Sequence, residues 1–154
     1  PTRVYTPQMV IDGQREVVGG DGPTVVKRIR EAARRKKGRV AISHVLNEGG
    51  AGFRLDVGDL ELGGKAKVML ALVEDRVESD VAKGENAGRT LRHAGVVRSL
   101  IEVGEMRRSE SEWSGAATAP FGEDWNRDYL RAVAFFQEVG SRAVLAIGTQ
   151  ALTE

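Results

Sequence analysis

The chain contains no cysteine. It therefore cannot perform thiol redox chemistry by itself, nor can it be held together by disulfides. Aromatic residues make up only 5%, and there are just two histidines, His44 and His93. No apolar run approaches the roughly 18–20 residues that span a bilayer as a helix. Charge of either sign is not in excess: Lys+Arg is 23 against Asp+Glu 22. A balance that close offers no global field to recruit nucleic acid or an anionic membrane. The chain opens Pro1-Thr2-Arg3, with no starting Met and no export signal, which suggests processing or truncation at this end.

What is present is an ordinary globular composition, 41% hydrophobic and 29% charged. A chain of 154 residues can bury a core without staples. Glycine is frequent, at 19 residues, and together with the few aromatics this points to many tight turns.

Residues 1–38 read as a hairpin and a helix. Val4 to Ile11 is strand-like, interrupted by Pro7. Asp12-Gly13 is a hairpin turn signal, and Arg15 to Val18 is the return strand. Asp21-Gly22-Pro23 starts a helix, with Asp21 or Gly22 as the cap. Val25, Val26, Ile29, Ala32 and Ala33 continue it at helical spacing to Lys37, where Gly38 stops it. Its cations, from Lys27 to Lys37, lack interleaved aromatics for base stacking, so a solvated face is favoured over a nucleic-acid patch. Two strands and one helix cannot bury their own apolar face, so this unit requires partners.

From residue 39 the period changes to alternation. Val40 to Leu46, Phe53 to Val57, Lys67 to Val77, Thr90 to Val103, Tyr129 to Gln137 and Arg142 to Thr149 read as six strands. The unbroken run Val68 to Val73 marks a strand covered on both faces. In the fourth strand, Leu91, His93, Val97, Ile101 and Val103 are expected on one face. Met106 to Trp125 has weak periodicity and reads as a long crossover loop, its two tryptophans pinning it to the body. An antiparallel β-sandwich over residues 39–154 is the natural architecture.

Candidate chemistry is sparse. The two histidines lack the close spacing of zinc motifs, and no metal or cofactor is assigned. Glu74, Asp75, Glu78 and Asp80 fit no calcium loop, and Arg76 among them suggests a screened surface cluster. No nucleophile-elbow sequence is present, so a hydrolase is not supported and no catalytic residue is assigned. The loop containing Gly84, Asn86, Gly88 and Arg89 has amides that could cradle an anion, set against a plain strand connection.

Tyr5-Thr6-Pro7-Gln8-Met9-Val10-Ile11-Asp12-Gly13 resembles the part of a thioredoxin fold that carries the cis-proline. With Leu72-Val73-Glu74, Gly84 to Leu91, His93, Val96-Val97-Arg98 and the closing hairpin, nearly the whole chain resembles the bacterial family called domain of unknown function 1223. The resemblance implies an α+β fold. The C-terminal part of a thioredoxin-like domain (residues 1–38, a β-hairpin plus helix) would precede an antiparallel β-sandwich domain (residues 39–154). It further implies a secreted or periplasmic setting, and a Cys-x-x-Cys in an upstream half that this sequence lacks. Thr6 and Pro7 would then line a site for a protein or peptide partner. The second reading is a non-catalytic binding module of the cell envelope, with Gly84–Arg89 and the Trp113–Trp125 stretch as its contact surfaces.

Overall fold

The computed structural model describes residues 6–153. The expected first strand began at Val4, and Val4 and Tyr5 lie outside that range. Strand β1, Gln8–Ile11, pairs antiparallel with β2, Arg15–Val18. The turn between them places Asp12 (φ 58°) and Gly13 (φ 72°) in the left-handed region, which is why Asp-Gly suits it. A side chain at Gly13 is also sterically barred, since its Cβ would lie 2.0 Å from the Arg142 carbonyl oxygen.

Helix α1 spans Gly22–Ala33. Asp21 caps it: its Oδ1 accepts from the Thr24 N–H at 3.2 Å, with Pro23 in the first turn, where no N–H is missed. The helix is shorter than its periodicity suggests, and Gly38 is not its stop. Lys37 is drawn instead to Asp12 at 2.5 Å and to the Val144 carbonyl at 2.6 Å. Those tethers pull the chain off the helical path. Gly38–Arg39 then forms β3, where a Cβ on Gly38 would sit 3.0 Å from that of Ala146.

The Thr24 hydrogen bonds hold the Asp21 carboxyl below its ordinary 3.8. A depressed carboxylate contributes stability above the unfolded value and loses it as pH falls through the lowered one. Helical circular dichroism in wild type should therefore decline as acid is added from about pH 4 downward. Asp21→Asn, a cap that does not titrate, should remove that part of the decline. Identical acid curves would show that the cap is not coupled to the helix.

The rest is β-rich. Strands β4 (Ala41–Asn47), β5 (Gly50–Val57) and β10 (Trp113–Pro120) form a three-stranded sheet in the order β10-β5-β4. Strands β6 (Ala66–Glu74), β9 (Val96–Met106), β11 (Leu130–Glu138) and β12 (Val144–Ala151) join β3 in a five-stranded sheet, β3-β12-β11-β6-β9. All pairs are antiparallel except β12 with β3. The two sheets share one core. Phe53, Leu55 and Val57 from the smaller sheet cluster with Val68, Leu70, Leu72, Ala132, Ala134 and Phe136 from the larger.

Three expectations need correction. Thr90 to Val103 is two strands, β8 (Thr90–His93) and β9, separated at Ala94-Gly95, where Gly95 has φ 66°. Its proposed common face does not survive: Ile101 and Val103 pack on the core while Val97 is exposed. Strand β7 (Val77–Asp80), which pairs with β8, was not foreseen. Nor is Met106 to Trp125 a loop throughout, since β10 occupies its centre and pairs with β5 along its whole length. Its alternation is carried by small residues: Gly115, Ala117 and Ala119 are more covered than Ser114, Ala116 and Thr118. Glycine is required at Gly115, where a Cβ would lie 2.3 Å from the Trp113 ring.

The hairpin–helix unit meets the two-sheet body at one end of β11 and β12. Gln14 donates to the Ser141 carbonyl, and the Val144 N–H donates to that of Asp12.

Candidate functional site

Thr6 and Pro7 are exposed, and the peptide between them is cis. The Pro7 carbonyl accepts from the Gly19 N–H at 2.8 Å, which ties the segment back onto the end of β2. Gly19 suits this approach, because a Cβ there would stand 3.2 Å from that of Pro7. Buried side chains beneath are few: Ile11, Val17 and Val25, with Ala32 against them. Around them Met9, Val10, Val18, Val26 and Ile29 remain 37% to 55% exposed.

The helix cations are partly engaged within the chain. Arg28 pairs with Glu31, Arg35 reaches Gln14, and Lys37 holds Asp12. This arrangement suits a solvated, structural face.

Gly84, Asn86, Gly88 and Arg89 lie at the exposed tip of the β7–β8 ribbon. Gly84 (φ 92°) and Gly88 (φ 78°) adopt left-handed backbone, and a Cβ at either would meet nothing. Their glycine is thus a turn requirement and not a close approach. Amides 87, 88 and 89 already donate to the carbonyls of Gly84, Val81 and Asn86, and the Arg89 guanidinium donates to Asn86 Oδ1 at 3.3 Å. The tip is a self-bonded turn, with those three amides turned inward. Among the described residues no hydrogen bond or ion pair joins it to Thr6 or Pro7.

The acidic cluster at the end of β6 is not one surface patch. Glu74 is buried, 3% exposed. It accepts from Arg98 Nε at 2.7 Å and from the Asn126 N–H at 3.1 Å. Arg98 stands at a bulge: Leu72 pairs with Ser99 but Val73 with Val97, leaving Arg98 as the extra residue. Bulges re-aim side chains, and this one turns a guanidinium toward Glu74. The other acids have separate partners. Asp75 takes Arg131, Glu78 takes Arg92, and Asp80 accepts from Thr90. Arg76 lies over the Tyr129 ring at 4.8 Å. These acids diverge, and among the described residues no three His, Cys, Asp or Glu side chains are placed to hold a metal. His93 instead lines a shallow hollow with Arg76, Glu78 and Arg92, and His44 leans on Phe53.

Trp113 packs edge-on against Phe136, with centroids 5.6 Å apart, and Trp125 packs on Phe121. Both are half-buried against the core, in keeping with a pinning role. The buried Glu74–Arg98 pair was not anticipated. Its available signal was an acidic residue closing an otherwise wholly apolar strand.

These features belong to a β-rich protein with a single hairpin–helix appendage among its described residues. The family described as "Protein of unknown function (DUF1223)" matches residues 1–137, and the chain belongs to it. No curated protein and no solved structure matches the chain. No helix among the described residues is long and apolar enough to cross a membrane.

Proposed function

We propose that residues 1–38 belong to the substrate-holding half of a thioredoxin-like unit, with residues 39–154 as a β-rich module attached to it. The unit would work on an extended peptide or partner thiol in the periplasm or outside the cell. One observation carries this reading: the apolar side chains left open on the far side of the hairpin and on the helix. Val10, Val18, Val26 and Ile29 are each about half exposed around a three-residue core. A two-stranded sheet with one helix gains too little from such a core to stand alone, so further strands and helices are the natural cover. Among the described residues β1 pairs only with β2, and its other edge offers backbone groups to an extended peptide by strand addition. This chain supplies no thiol. Any disulfide exchange would draw its cysteines from a Cys-x-x-Cys outside the sequence.

The coding sequence preceding Pro1 tests this directly. A βαβ segment bearing Cys-x-x-Cys is expected, and a frame without one removes the thioredoxin-like reading. These open side chains can be probed in the present chain. Converting Val10, Val26 and Ile29 together to serine should cut binding of a hydrophobic dye several-fold, with little change in melting temperature. A cooperative loss of folding would mean that these side chains are already buried.

The second reading, a non-catalytic envelope binding module, is favoured by the ribbon. Strands β7 and β8 pair with each other in a sheet of their own, and most of their residues are exposed. Its contact surface is the Gly84–Arg89 tip, because both tryptophans turn toward the core. Asn86→Ala with Arg89→Ala should weaken crosslinking to envelope proteins, and an unchanged pattern would remove the idea.

A further inference from the structure

We infer that the hollow at one end of the two-sheet body binds the zwitterion of a free α-amino acid with an apolar side chain. Strand β10 lies beside β9 and β12 beside β4, so the two sheets wrap around the core, and the hollow is the mouth at one end. Four strands supply it. Leu46 stands near the end of β4, Leu130 opens β11, and Phe121 and Leu152 follow directly on β10 and β12. The space measures about 600 Å³, within the range of small-molecule sites, and the mouth of a β-barrel is a common place for one.

The floor is apolar and fixed. Leu130 and Leu152 are buried, and the Leu152 N–H donates to the Leu130 carbonyl at 2.9 Å. Leu46 and Phe121 form half-buried walls packed against the same core. These side chains offer dispersion contacts and no hydrogen bond, so an occupant needs an apolar body.

The rim carries both signs of charge. Arg127 and Asp128 come from the 3₁₀ turn Arg127–Tyr129, and Glu48 from the turn after β4. Asn126 anchors the 3₁₀ turn: its Oδ1 accepts from the Asp128 N–H at 3.1 Å, and its own N–H donates to buried Glu74. Arg127 is held as well. Its Nη2 donates to the Glu48 carbonyl at 2.6 Å, and its guanidinium lies 5.5 Å from the centre of the Phe121 ring. Those contacts leave further N–H donors on the guanidinium. Among the described residues no ion pair engages Arg127, Asp128 or Glu48. The His93 hollow differs in this respect, because Asp75 and Glu78 there already hold Arg131 and Arg92.

This mixed rim narrows the choice of ligand. A ligand with only an ammonium would meet Arg127, and one with only a carboxylate would meet Asp128 and Glu48. A ligand bearing both groups satisfies all three. Arg127 and Asp128 are adjacent in the chain, which suits the adjacent charges of an α-amino acid better than the separated termini of a peptide. The carboxylate would accept from Arg127, the ammonium would donate to Asp128 and Glu48, and the side chain would lie on Leu130 and Leu152. The rim is open to water, so the dissociation constant is expected on the order of 1 mM.

An NMR titration of the isotope-labelled chain with L-phenylalanine up to about 20 mM tests this, a range that brackets the expected constant. Backbone amides of residues 46–48, 127–130 and 152–153 should shift and saturate. Phenethylamine, which lacks the carboxylate, and hydrocinnamate, which lacks the ammonium, should each bind about tenfold more weakly. Glycine, which lacks the apolar body, should be weaker by about the same factor. Arg127→Gln should weaken phenylalanine about tenfold without weakening phenethylamine. Asp128→Asn should weaken phenylalanine without weakening hydrocinnamate, a second readout should the first variant disturb the turn. The absence of a saturable shift at these amides overturns the inference. So does equal binding of phenylalanine and either singly charged analogue, or a phenylalanine affinity indifferent to both variants.

Discussion

Arg98→Ala is expected to lower the unfolding free energy by about 3–5 kcal/mol, the loss typical of breaking a buried ion pair from one side. Glu74 is 3% exposed and keeps only the Asn126 N–H once the guanidinium is gone. Asp124, the other carboxylate near Arg98 at 3.6 Å, is 77% exposed and loses little. The penalty is that of leaving a carboxylate buried and underpartnered, not the net worth of the pair. A double variant, Glu74→Leu with Arg98→Met, should therefore recover most of the loss, because well-packed apolar replacements of buried pairs are often neutral. Urea unfolding of both singles and the double gives the coupling. Arg92→Ala is the control: its partner Glu78 is largely exposed, and such pairs contribute about 0–1 kcal/mol. If Arg98→Ala and Arg92→Ala have equal cost, the buried pair is not a structural node.

The same pair shows what was legible and what was not. Leu70, Leu72 and Glu74 share parity on one strand, so period two alone sends Glu74 inward with the core. Reading Glu74, Asp75, Glu78 and Asp80 as one cluster ignored that parity and merged an inward acid with outward ones. Arg98 was harder to see. A bulge adds a residue and shifts parity, and nothing local in Val96-Val97-Arg98-Ser99 announces it. Turn chemistry was the most readable layer. Asp12-Gly13 and the Asp21 cap sit where backbone geometry restricts the choice. Strand β10 escaped because its alternation is written in Gly and Ala, which carry little hydrophobic contrast. The helix end escaped because Lys37 is captured by Asp12 and Val144, a tertiary effect that overrides local propensity. Of the candidate site positions, the structure explains the glycines Gly84 and Gly88 as turn formers. Thr6 and Pro7 lie exposed, tied to the end of β2 through the Gly19 N–H and the Pro7 carbonyl.

Phe136→Ala is expected to have the other large effect, a loss of about 3–5 kcal/mol. Its side chain is fully buried between the sheets. The Trp113 ring meets it edge-on, with planes at 82°, an arrangement worth about 0.5–1.5 kcal/mol beyond area burial. Truncation removes that contact and leaves a void that flanking Ala134 is too small to fill, so little relaxation can offset it. Trp113 is itself held by close contact with Gly104 and Gly115 and cannot move far toward the gap. Its fluorescence should change as the edge-on partner disappears, whereas Trp125, packed on Phe121, should not respond. Phe135→Ala, one residue earlier, supplies the contrast. That ring lies on the sheet's outer face and is only half-buried. It should cost clearly less in urea unfolding. Equal unfolding costs for the two neighbours would mean that the outer face is covered as fully as the inner one.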